Sequence, residues 1–176
     1  MLSVAPRVGA LLATLSTTLV VTLAALVLVP PSATASTWLV PAPDASVDPL
    51  THPDEFENRV VDRINAIRRQ RGLRPVVRFD SCVDSLSEGW AGYLASSGEL
   101  RHRDQRRVLS RCGMAWAGEA LVRGSGLTPA GVVRAWMASP THRAILVKAR
   151  ADRAGMAVRT DARGRLVGVL NFTDAP

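Results

Sequence analysis

Many signatures of catalysis are missing from this 176-residue chain. No His-Glu-x-x-His occurs, which excludes the zinc-carrying helix of a large class of metalloproteases. Arg123 stands two residues before Ser125, where the first glycine of Gly-x-Ser-x-Gly belongs, so there is no nucleophile elbow. There is no glycine-rich phosphate cradle and no run of cysteines at zinc-finger spacing. Histidine is scarce, with three in the chain, and Lys148 is the one lysine among 22 basic residues. No basic helix with interleaved aromatics is found, and nucleic acid is not an expected partner. No internal repeat is visible.

What is present begins with an apolar run over residues 8–29, preceded by a single charge at Arg7 and followed by Pro30-Pro31 and Ala33-Thr34-Ala35. A short positive segment, a greasy core and a small-x-small exit are the parts of a secretory signal, so residues 1–35 are assigned to one, with cleavage after Ala35. The rival reading is an uncleaved anchor, since a 22-residue run is long enough to span a bilayer. Either way the rest of the chain is expected outside the cytoplasmic membrane, secreted or anchored. The signal holds one of the 22 basic residues and none of the 15 acidic ones, leaving +6 on the remainder. That balance favours anionic envelope polymers or lipid headgroups as partners, or is simply a solvated face. Cys82 and Cys112 form an even pair in an oxidising compartment. A bridge between them would contribute roughly 3–4 kcal/mol in the chain-entropy model; the alternative is two buried thiols.

Residues 36–52 are proline-rich and aperiodic, as a linker is. The remaining residues, 53–176, are expected to fold as one domain. Phe56, Val60, Ile64 and Ile67 recur at helical spacing and predict a helix over 54–71, with Arg59, Asp62, Arg63, Arg68 and Arg69 on its polar side. A second helix is expected from Asp80 or Ser81 to Ser97, burying Leu86, Trp90, Tyr93 and Leu94. Residues 99–127 read as loop, with some helix near 106–111 and a short strand near 115–121. Thr128-Pro129 opens a third helix, with Val132, Val133, Trp136 and Met137 inward, and Ser139-Pro140 terminates it. Residues 155–160 and 165–172 flank the turn 161–164 as a hairpin. Helices followed by a hairpin give an α+β class, helices packed on a small antiparallel sheet.

His52, beside Pro53, reads as a solvated flank residue. His102 follows the second helix, and His142 follows the third. Glu119 lies in the apolar stretch Ala117-Gly118-Glu119-Ala120, where an unpaired carboxylate is costly. Pairing with His102 and His142 would satisfy it.

Four segments carry a resemblance: Asn65-x6-Gly72-Leu73-x-Pro75, Gly98-Glu99-Leu100-x-His102, Gly118-Glu119 and Trp136-Met137-x-Ser139-Pro140-x-His142-Arg143. In this order, and with a hairpin ending in Asn171-Phe172, they resemble the CAP superfamily of cysteine-rich secretory proteins, antigen five and pathogenesis-related proteins, in its bacterial branch. The resemblance spans residues 55–173. It implies an α-β-α sandwich whose central cleft holds two histidines and two acidic residues, able to take zinc or another divalent cation. By position, His102, Glu119 and His142 match three of these. The second glutamate falls on Ser139, the asparagine of Gly-Glu-Asn on Ala120, and the asparagine after the last histidine on Ile145, so the polar cleft is thinner here. The implied function is a secreted, non-enzymatic module that binds a lipid or an envelope ligand. Two alternatives stand beside it. One is a hydrolase using metal-bound water or Ser139 activated by a histidine; the other is a scaffold in which the three residues only lock helices to the sheet.

Overall fold

The computed structural model describes residues 47–77 and 79–175. The signal assigned to residues 1–35, and most of the linker, lie outside the described residues. Among the described residues, no helix is long and apolar enough to cross a membrane.

The chain forms helix α1 (Pro53–Gln70), α2 (Ser81–Ser97) and α3 (Arg106–Cys112), then strand β1 (Trp116–Gly124), then α4 (Pro129–Ala138) and α5 (Pro140–Leu146), and closes with β2 (Arg153–Thr160) and β3 (Leu166–Asp174). The three strands make one antiparallel sheet in the order β1-β3-β2. The expected hairpin is therefore β2–β3, with Gly164 at φ +71 in its turn, and β1 pairs along the other side of β3 from Trp116↔Asp174 to Gly124↔Leu166.

Every residue of β3 is buried, because the sheet is covered on both faces and side chains alternate between them. Leu166, Leu170 and Phe172 join a core with Phe56, Val60 and Ile64 of α1 and Trp136 of α4. Val167 and Val169 join a second core with Ala91, Leu94 and Ala95 of α2. The result is an α-β-α sandwich, α1 and α4 on one face and α2 on the other.

Three expectations about burial and helix ends are corrected. First, α2 buries Val83, Ser87, Ala91 and Leu94, while Leu86 and Trp90 are half-buried and Tyr93 is 40% exposed. The small residues face the sheet because α2 lies nearly on its backbone: a Cβ on Gly155 would sit 2.5 Å from Asp84 N and Val83 C. Second, Arg68 is not on a solvated side. It is fully buried, and its guanidinium donates to the carbonyls of Arg74, Leu146, Lys148 and Ala151 at 2.8–2.9 Å. One side chain thereby fastens the end of α1 to the segment joining α5 and β2. Third, Ser139-Pro140 ends α4 but also starts α5: proline takes the first turn, where its missing N–H costs nothing, and Ser139 caps it.

Cys82, at the start of α2, and Cys112, at the end of α3, form a disulfide, which fixes α3 to the flank of α2.

Candidate functional site

Glu119 is carried by β1 on the same side as Leu121, facing the α2 layer across from Asn171 of β3. Gly118 before it is crowded by two side chains. A Cβ there would lie 2.9 Å from the Trp116 ring and 3.1 Å from Ile145, so any larger residue would have to push these two side chains aside. Ile145, standing where the resemblance has asparagine, is part of that apolar seam.

His102 comes from the loop after α2. Gly98 ends that helix in the left-handed region (φ +74), and Arg123 of β1 donates to Gly98 O at 2.9 Å and Leu94 O at 3.0 Å, capping the helix from the sheet. The loop is then pinned back on α2 by stacked side chains. Arg101 lies 5.0 Å over the Trp90 ring and 5.2 Å over Tyr93, and Arg103 lies 5.1 Å over Trp90. Arg103 also donates to Leu86 O.

These constraints bring His102 Nδ1 within 2.8 Å of Glu119 Oε1, an oxygen that also accepts from Arg103 N at 3.1 Å. The pair is asymmetric, with the His102 side chain 58% exposed and that of Glu119 1% exposed. The other oxygen, Glu119 Oε2, is buried without a hydrogen-bond partner among the described residues. Burial pushes the Glu119 carboxyl above its usual range, and His102 and the Arg103 amide pull against that rise. While Glu119 is ionised, Nδ1 must carry the proton it donates, so Nε2 is the ring nitrogen that faces a ligand.

His142 sits in the first turns of α5, which packs on β1. Its ring centroid is 6.3 Å from that of His102, with the planes tilted by 57°. Burial, and then the neighbouring His102, hold its pKa below the usual histidine value. The three residues named from the sequence thus converge from a loop, a strand and a helix. His52 does not join them: it is exposed, at the start of α1. Ser139 brings no carboxylate, and its hydroxyl accepts from His142 N as the α5 cap.

Sequence reasoning missed Arg103 and Arg123. Both are arginines in a chain where arginine is the usual cation, so type alone did not distinguish them. The one available signal was proximity to His102 and Glu119.

The profile described as CAP, the cysteine-rich secretory protein family, matches residues 61–172. An outer surface protein of Borrelia burgdorferi is similar in structure at a TM-score of 0.63 and 19% identity, over 74% of this chain and 97% of that one. An extracellular protein of Bacillus anthracis containing an SCP domain is similar at a TM-score of 0.61 and 17% identity, over 73% of this chain and 44% of that one. A cysteine-rich secretory protein of Staphylococcus aureus is similar at a TM-score of 0.53 and 20% identity, over 69% and 38% of the two chains. No curated protein sequence matches the chain.

Proposed function

Because the chain belongs to the CAP, or cysteine-rich secretory protein, family, we propose that it acts outside the cell as a non-enzymatic binding module that grips the polar head of an envelope or lipid ligand with His102, Glu119 and His142. The observation that carries this reading is the Glu119 carboxylate. It is covered almost completely, yet one oxygen is held by an exposed histidine and the other has no partner among the described residues. Such an arrangement lets a ligand touch His102 while His102 reports to a buried charge. A donor reaching the second oxygen would remove the cost of leaving it unpaired.

The reading puts a polar headgroup, and not a metal ion, against these residues. Among the described residues, no three His, Cys, Asp or Glu side chains are grouped closely enough to hold an ion. Two imidazoles bound to one zinc at about 2.0–2.1 Å bring their centroids to roughly 5 Å, tighter than the 6.3 Å found. Glu119 is placed behind His102, as a carboxylate that orients a ligating histidine is, and zinc or another divalent cation enters the reading only through titration. The Ser139 hydroxyl accepts from His142 N as the α5 cap, and among the described residues no histidine ring is hydrogen-bonded to it, so no observation favours the serine route to a hydrolase.

The test is calorimetric. Protein expressed from the full chain is titrated with zinc, and with vesicles of neutral and anionic lipid, alongside His102→Ala and His142→Ala. Loss of binding in both variants supports the cleft. Equal affinity in all three proteins removes these histidines from ligand binding and leaves the scaffold alternative, in which Glu119→Gln lowers the melting temperature and changes no binding.

A further inference from the structure

A second concave site lies between α2 and α3, lined in part by residues on either side of His102 in the chain. It has a volume of about 580 Å³, with Leu86 and Trp90 on one wall and Arg101, Arg103, Arg107 and Arg111 around it. Four guanidinium groups facing one hollow repel each other unless an anion sits among them. Their native counter-charges are few. Arg101 is paired with Glu99 at 2.7 Å, and Asp104, the one carboxylate lining the hollow, is paired with Arg106 at 3.1 Å. Among the described residues, the side chains of Arg103, Arg107 and Arg111 form no ion pair.

Arg103 is the telling member. It is half-buried; burial lowers its pKa, the Glu119 carboxylate pulls the other way, and neighbouring Arg107 lowers it further. Glu119 compensates this half-buried cation only from beyond ion-pair distance, so its guanidinium is held by the Trp90 face and the Leu86 carbonyl and keeps donors for an anion. The disulfide between Cys82 and Cys112 fixes α3, so Arg107 and Arg111 are presented from a wall that cannot swing away from α2.

We infer that this arginine hollow is an anion site that takes a phosphate ester or phosphodiester group, the tetrahedral oxyanion meeting Arg103, Arg107 and Arg111 while adjoining carbon lies against Leu86. Guanidinium forks suit such an oxyanion because each presents paired donors to two of its oxygens. The inference rests on the chain being a binding module, and not on any ligand entering the His102–Glu119–His142 cleft.

The probes are glycerol phosphate in solution and vesicles of phosphatidylglycerol in phosphatidylcholine, against protein from the full chain at low and high salt. The native protein should bind at least one probe. The exposed-face double variant Arg107→Gln/Arg111→Gln should weaken that binding about tenfold or more, whereas Arg69→Gln/Arg71→Gln at the end of α1, with the same change of charge, should alter it less than twofold. Binding to vesicles alone assigns the phosphate to a lipid headgroup, and binding to the soluble ester assigns it to a soluble or polymeric phosphate. His142→Ala should leave binding of the soluble glycerol phosphate unchanged, whatever it does to vesicle binding, which separates this site from the cleft. No binding of either probe at low salt, or equal losses in the two double variants, would overturn the inference.

Discussion

Glu57 offers the sharpest test of the energetics. It is a carboxylic acid on α1, 4% exposed, whose Oε1 accepts from Val158 N of β2 at 2.8 Å. Burial, with Asp84 and Asp54 nearby, pushes its pKa up to about 7 from 4.5, against the lowering effect of the Val158 amide. A carboxyl whose pKa rises on folding holds its proton more tightly in the folded chain. Its share of stability is therefore greatest in acid and is lost as pH climbs through about 7. At about 1.4 kcal/mol per pH unit, the cost of the charge grows from under about 1 kcal/mol at pH 5 to about 3 kcal/mol above pH 8. Glu57→Gln keeps an oxygen to accept from Val158 and cannot ionise. Urea denaturation of both proteins at pH 5 and pH 8.5 should show the variant gaining about 2–3 kcal/mol on the native chain between the two conditions. A difference between the proteins that is the same at both pH values would refute the reasoning, because lost packing or a lost hydrogen bond does not depend on proton concentration.

Three further outcomes are expected. Arg68→Lys keeps the charge but replaces a planar fork that reaches carbonyls of four residues with a single ammonium, and denaturation should register a loss of about 3 kcal/mol. Gly155→Ala forces a methyl against the α2 backbone at 2.5 Å; since backbone cannot yield as a side chain can, a loss of about 2–3 kcal/mol or failure to fold is expected, measured by melting temperature and yield. Removing the disulfide as Cys82→Ser/Cys112→Ser opens a bridge across a separation of 30 residues and should cost about 3–4 kcal/mol in the chain-entropy picture; no shift in the denaturation midpoint would discount it.

The parts of the fold written in periodicity were legible. The stripe Phe56, Val60, Ile64 and the cap-and-proline start of α4 predicted helices that are present. The hairpin followed from its turn. The face of α2 was not legible, because greasiness pointed to Leu86, Trp90 and Tyr93, whereas the governing constraint is the width of the gap at Gly155, set by another part of the chain. Arg68 was assigned to solvent for the same kind of reason: its partners are carbonyls as much as 83 positions away, and carbonyls carry no side-chain identity to read. Of the cleft, the residue types and their order along the chain were readable. The spacing of the rings, and the part played by Arg103 in holding Glu119 by its amide, belong to loop geometry that no local pattern encodes.

Ser139 caps the end of one helix and the start of the next, which leaves the corner between α4 and α5 without slack. Trp136, moored in the interior by its indole N–H on Leu121 O, sets the phase of everything downstream. Each residue of a helix turns by about 100° and advances 1.5 Å, so one added residue at this corner would swing His142 away from the partner ring and turn Leu146 out of the core. The corner thus acts as a gear tooth: length, more than composition, is what this stretch of chain must keep for the two imidazoles to go on facing each other.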